Sequence, residues 1–122
     1  PLPPGKFRIP PREAEAMLPQ QTSLLLAVEE ALRGVTLSGT NGAFVGTGLD
    51  SATLAFSRRW QALARGEEPD GPPLTADRVL GALASIAASR LARAFHLGGP
   101  CFTLDSASPA EDARRLAENA LR

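Results

Sequence analysis

The stretch Leu97-Gly98-Gly99-Pro100-Cys101-Phe102-Thr103-Leu104-Asp105-Ser106-Ala107-Ser108-Pro109-Ala110-Glu111 decides the fold. Gly98-Gly99-Pro100 ends any helix that reaches it, because glycine favours helix exits and proline has no amide hydrogen to continue one. Cys101 to Leu104 is then a short apolar run of the kind that forms a buried strand. Asp105-Ser106-Ala107 turns the chain, and Ser108, Pro109 and Glu111 supply a preferred N-cap, a preferred first helical residue and the third-position partner of a capping box. A strand that turns directly into a helix is the building unit of an α/β protein. The same turn sets a short nucleophilic side chain, Ser108, at a helix N-terminus, where orphan N–H groups and the macrodipole favour developing negative charge. A hydroxyl needs an adjacent base to act as a nucleophile. His96 is the sole imidazole, and nothing in the spacing brings it to Ser108. From these residues alone the expectation is capping: the Ser108 hydroxyl accepts from the N–H of Ala110 or Glu111, and Glu111 reaches back.

Working upstream, Thr75 is expected to cap one long helix with Val79, Leu80, Leu83, Ile86, Ala87 and Leu91 on its apolar face. Ala82, Ala84 and Ala88 add close packing, so that helix should be covered on most sides. Residues 66–74, around Glu67-Glu68-Pro69-Asp70-Gly71-Pro72-Pro73, read as a loop. Asp50 or Ser51 caps a helix carrying Leu54, Ala55, Trp60, Leu63 and Ala64, with Gly66 past its end. Ala43-Phe44-Val45, closed by Gly46 and Gly48, is a second buried strand. Leu24, Leu25, Val28, Ala31 and Leu32 mark an amphipathic helix from Pro19 to Arg33 that Gly34 stops, after a first helical stretch from Arg12. Residues 1–11 hold five of the 11 prolines and read as an extended lead-in. Helices and strands alternate along one modest domain, and the fold class is α/β.

Composition excludes several functions. The 122 residues carry 13 Lys+Arg against 13 Asp+Glu, a formal net charge of +0, with no basic stripe to neutralise phosphates or acidic lipids. Neither a nucleic-acid partner nor a membrane partner is expected. One cysteine, Cys101, rules out an internal disulfide framework, and one histidine rules out a Cys/His zinc cluster, so no metal is expected and the cytoplasm is the default location. The longest uninterrupted apolar run, Leu24 to Val28, falls far short of the roughly 20 residues that cross a bilayer. The chain opens on Pro1 and closes on Leu121-Arg122 inside a helical pattern, which reads as a fragment.

Leu97 to Ser108 resembles the nucleophile segment of the β-ketoacyl synthases, Leu-Arg-Gly-Pro-Ala-Leu-Thr-Val-Asp-Thr-Ala-Cys, with Ser108 in the place of the active-site cysteine. Ala84 to Leu91 resembles the family's Ala-Ser-Val-Ala-Ala-Gly-Arg-Leu helix, and Asn41 to Gly46 its Thr-Gly-Val-Phe-Val-Gly. Phe7 to Ala14 with Leu18-Pro19-Gln20-Gln21 resembles its Pro-Arg-Glu-Ala and Asp-Pro-Gln-Gln region. The blocks stand in family order over nearly the whole chain. The resemblance implies residues 1–122 of a thiolase-like, layered α/β/α/β/α fold, the N-terminal half of a ketosynthase-like domain, in a usually dimeric acyltransferase of fatty acid or polyketide synthesis. Its Phe-Arg-Ile-Pro-Pro lead-in leans toward the ketosynthases and chain-length-factor-like partners of polyunsaturated fatty acid and iterative polyketide synthases. In that family the cysteine takes an acyl chain from the phosphopantetheine thioester of an acyl carrier protein, and two histidines assist decarboxylative condensation. No bound cofactor is implied.

The departures fall at the chemistry. Ser108 replaces the cysteine, Pro109-Ala110 the serines after it, Leu18 the acidic residue before Pro-Gln-Gln and Thr22 the arginine after it; the two histidines lie outside this sequence. A serine hydroxyl stays protonated near neutrality without a base, so the isolated chain is expected to be inactive. The alternative is a non-catalytic module, a chain-length-factor-like or dimerisation scaffold, and a helical interaction module unrelated to acyl transfer is the third reading. Partners are then a second copy or the remainder of a multidomain synthase, with an acyl carrier protein as the substrate carrier. Elsewhere, Cys101 reads as core, His96 as a helix-end residue, Trp60 as a core or interface anchor and Glu67-Glu68 with Asp70 as a solvated loop. Gly46-Thr47-Gly48 has no lysine after it and is no phosphate loop.

Overall fold

The structure is a computed structural model, describing residues 2–122. Six helices and two strands alternate: α1 (Pro11–Ala16), α2 (Pro19–Ala31), β1 (Ala43–Thr47), α3 (Ser51–Ala64), α4 (Ala76–Ala82), α5 (Ala87–Phe95), β2 (Cys101–Asp105) and α6 (Pro109–Ala120). β1 and β2 pair in parallel from Ala43 against Cys101 to Thr47 against Asp105. Helix α5 packs on both strands, and α6 lies mainly over β1. A parallel pair connected through helices is the α/β arrangement that the sequence predicts.

The core forms where α2, β1 and α5 meet. Leu25 is 1% exposed, and Val45, Ala87, Ala88 and Leu91 are buried with it, joined by Leu2, Ile9, Ala14 and Met17 from the N-terminal segment. Cys101 is half-buried and packs against this cluster. The proline-rich start is therefore not a detached lead-in. It folds back on α5 through a tight turn at Lys6–Arg8, and Phe7 meets Phe95 with ring centroids 5.6 Å apart. Pro1 lies outside the described residues.

The predicted long helix after Thr75 is broken. Leu83 leaves helical geometry (φ −72°, ψ 107°), a 3-10 turn follows over Ala84–Ile86, and α5 starts afresh. The break is stabilised by donors from elsewhere in the chain. Gln21 Nε2 donates to the carbonyls of Leu80 (3.2 Å) and Leu83 (2.9 Å), and the Leu18 amide donates to Gly81 (3.0 Å). These satisfy carbonyls that a helix end leaves without partners. A Cβ on Gly81 would stand 2.5 Å from the carbonyl oxygen of Ala16, so the close crossing of α1 and α4 requires glycine there. Ending the helix at this point also leaves Leu80 and Leu83 half out in solvent, contrary to the expected burial on most sides.

Helix α5 starts without a local cap. Its Ala88 amide donates instead to Thr103 Oγ1 of β2 at 3.0 Å. Asp50 caps α3 through the Thr53 amide (2.7 Å), and Thr75 caps α4 through Arg78 (3.4 Å). No residue of α3 is buried, which removes Trp60 from the core; its ring meets Phe56 edge-on at 6.4 Å and stays 38% exposed.

Candidate functional site at the β2–α6 turn

β2 delivers the chain into the turn Asp105-Ser106-Ala107-Ser108, and α6 begins at Pro109. The turn is held hard against β1. A Cβ on Gly46 would lie 2.1 Å from the carbonyl oxygen of Pro109, and Thr47 Oγ1 donates to the Leu104 carbonyl at 3.2 Å. Ser108 sits at the N-cap, exposed, with φ −133° and ψ 66°.

The expected cap hydrogen bond is not made. The Ser108 hydroxyl accepts from no amide of α6, and Glu111 turns outward to Arg114 at 2.6 Å. Ser106 takes over the local bonding: its hydroxyl donates to Asp112 Oδ2 at 2.6 Å while its oxygen accepts from the Ser108 amide at 3.3 Å. Asp112 also accepts from Arg115 at 2.9 Å. The Ser106 hydroxyl, and after it Arg115, hold the Asp112 carboxyl below its ordinary range. A carboxylate so stabilised is a weak base, and it faces Ser106, not Ser108.

His96 ends α5 in a left-handed conformation (φ 56°, ψ 44°) with its amide donating to Ala92. It is exposed, and among the described residues no hydrogen bond joins it to Ser108. The structure therefore brings Ser106, Asp112 and Arg115 together and leaves Ser108 and His96 unconnected. Sequence reasoning passed over the Ser106–Asp112 pair. The signal was present as a hydroxyl and a carboxylate six residues apart across a strand-to-helix turn, but the capping pattern at Ser108 and Glu111 obscured it. The Glu67-Glu68 loop holds no metal cluster, since among the described residues no group of three ligating side chains converges. Among the described residues, no helix is long and apolar enough to cross a membrane.

Comparison with known proteins identifies the family. The profile of the β-ketoacyl synthase N-terminal domain matches residues 2–121, and the chain belongs to that family. Its fold is accordingly thiolase-like α/β, of which the parallel pair and its helices are part. It is 39% identical over 127 residues to the polyketide synthase GfsA of Streptomyces halstedii, covering 98% of this chain and 2% of that protein. It is 40% identical over 119 residues to the spectinabilin polyketide synthase system protein NorB of Streptomyces orinoci, covering 95% and 5% respectively. The low-reducing polyketide synthase drtA of Aspergillus calidoustus is 35% identical over 103 residues, covering 83% and 4%. The chain thus spans a few per cent of the length of these synthases.

Proposed function

We propose that this chain is part of the ketosynthase region of a polyketide synthase and that its nucleophile position does not load an acyl group. The observation that carries this reading is the state of Ser108: a hydroxyl at the place of the family's thiol, exposed, with the Asp112 carboxylate of the following helix engaged by Ser106 and Arg115. A thiol at a helix N-terminus is activated by a lowered pKa, whereas a serine there needs a base that this site does not offer. The acyl carrier protein thioester is the substrate whose approach the site would answer in an active relative, and decarboxylative condensation is the reaction.

The same observation supports a non-catalytic role of the chain-length-factor or scaffold kind. An apolar groove of about 660 Å³ runs between α2 and α6 along the outer edge of β1, floored by Val45 and walled by Leu24, Val28, Leu32 and Ala113. Such an uncovered edge favours strand addition. The relatives' far greater length makes further polypeptide of the same synthase its natural cover.

Incubation with a malonyl or acyl thioester followed by intact mass measurement tests the loading step. No adduct should appear on Ser108, while Ser108→Cys should label. A stoichiometric adduct on Ser108 overturns the reading.

A further inference from the structure

A cleft of about 190 Å³ separates the N-terminal turn from α5, and it is walled by Phe7, Arg8, Glu13, Ser89, Arg90 and Arg93. It therefore holds three guanidiniums and one carboxylate. Glu13 is already matched, its carboxylate 2.6 Å from Arg90 Nη1, and Arg90 Nη2 donates to the Leu80 carbonyl at 3.3 Å. That leaves Arg8 and Arg93, both exposed and without a side-chain partner among the described residues. The Arg90 side chain is only 10% exposed, and its Nε–H is buried with no acceptor. Arg90 is thus fixed in the wall by Glu13 and the Leu80 carbonyl, and Arg8 and Arg93 are the guanidiniums open to a ligand.

The backbone adds a second observation. Phe7 and Arg8 both have positive φ, 57° and 56°, a region that side chains other than glycine rarely adopt. The neighbours hold this strain in place: Phe7 packs at a tilt against Phe95, and Ile9 is buried in the core. Arg8 is thereby fixed beside α5.

We propose that this cleft binds a phosphate monoester, held by Arg8 and Arg93. Two positive charges remain after Glu13 is counted, and a phosphate monoester carries about −1.5 to −2 near neutrality. Planar guanidinium forks fit phosphate oxygens in pairs, and the cleft has room for the phosphoryl group with its organic part directed outward. A carboxylate would match only one of the two charges. None of the cleft's residues belongs to the β2–α6 turn, so this site stands apart from the condensation reading.

Titrating the protein with phenyl phosphate by isothermal calorimetry should give saturable one-site binding, tighter than benzoate. The double variant Arg8→Gln/Arg93→Gln should weaken it about tenfold or more, as expected for lost charge-assisted hydrogen bonds. Arg33→Gln, just past the C-terminal end of α2, should leave it unchanged. On the unaltered protein, phenyl phosphate should also shield Arg8 and Arg93 from phenylglyoxal, a readout that does not depend on any variant folding. Absent saturation, benzoate binding as tightly, equal weakening by Arg33→Gln, or no shielding of these two arginines would each overturn the proposal.

Discussion

Ser106 and Ser108 are two residues apart and do opposite things. Ser106 is bonded on both sides, to the Asp112 carboxylate and to the Ser108 amide, whereas the Ser108 hydroxyl is free of the helix it precedes. Removing each hydroxyl should therefore have different consequences. Ser108→Ala should change stability by less than about 0.5 kcal/mol, the range for surface positions that make no special contact. Ser106→Ala should cost about 1 kcal/mol, the size of one net hydrogen bond. Denaturant midpoints of the two variants check this, and a larger loss for Ser108→Ala would restore the capping role. The pair also sets a pH dependence. Because the folded-state pKa of Asp112 is depressed, first by Ser106, its contribution to stability is present above the unfolded-state pKa and fades as pH falls through the folded value. Carbon-detected titration should show the Asp112 pKa rising toward the ordinary aspartate value in Ser106→Ala, and an unmoved titration would remove Ser106 as the cause.

At the scale of elements, the fold is fixed by a few contacts between segments far apart in sequence. The α5 N-terminus depends on Thr103, fifteen residues further along, for the acceptor its own preceding residues do not provide. Thr103→Val keeps the shape and removes that acceptor. It should cost about 1 to 2 kcal/mol, the range of a lost helix cap, measured as a shift in denaturant midpoint. Gln21 has a comparable role at the other break, where its amide serves two carbonyls at the end of α4. Gln21→Ala leaves both without that donor and should cost about 2 kcal/mol or more, with faster amide exchange in α4 as the local signature. Gly46 is stricter than either. A methyl group there meets backbone, not a yielding side chain, so Gly46→Ala must push α6 away from β1 and should cost roughly 3 kcal/mol or more. A Gly46→Ala protein with unchanged midpoint would contradict the close approach of Pro109.

At the scale of the whole molecule, a two-stranded sheet carries helices on both faces yet leaves strand edges and an apolar groove uncovered. Phe102 on β2 is more than half exposed, as is Val35, and Trp60, Leu54 and Leu63 lie along the largely unpacked α3. Surfaces of this kind mark association. Sedimentation of the 122-residue chain should show a dimer or larger species, or strong binding of a dye that reports exposed apolar surface. A compact monomer with little dye binding would count against an incomplete module.

The sequence alone determined the parts of this protein that depend on local rules. The apolar runs at Ala43-Phe44-Val45 and Cys101 to Leu104 became strands, Asp50 and Thr75 became caps, and the amphipathic pattern from Pro19 became α2, because strand propensity, capping and helical periodicity are settled within a few residues. The order of its motifs was sufficient to show the β-ketoacyl synthase resemblance that the family profile supports. Only the tertiary structure decided the break at Leu83, the exposure of Trp60, the folding back of residues 2–9 and the exchange of Ser106 for Ser108 in the turn. Each depends on a partner the local pattern cannot name: Gln21 and Leu18 for the carbonyls of α4, Phe95 for Phe7, and Asp112 for Ser106. A hydrogen-bonding group takes the best-placed partner that folding brings to it, and where two are within reach, packing decides between them.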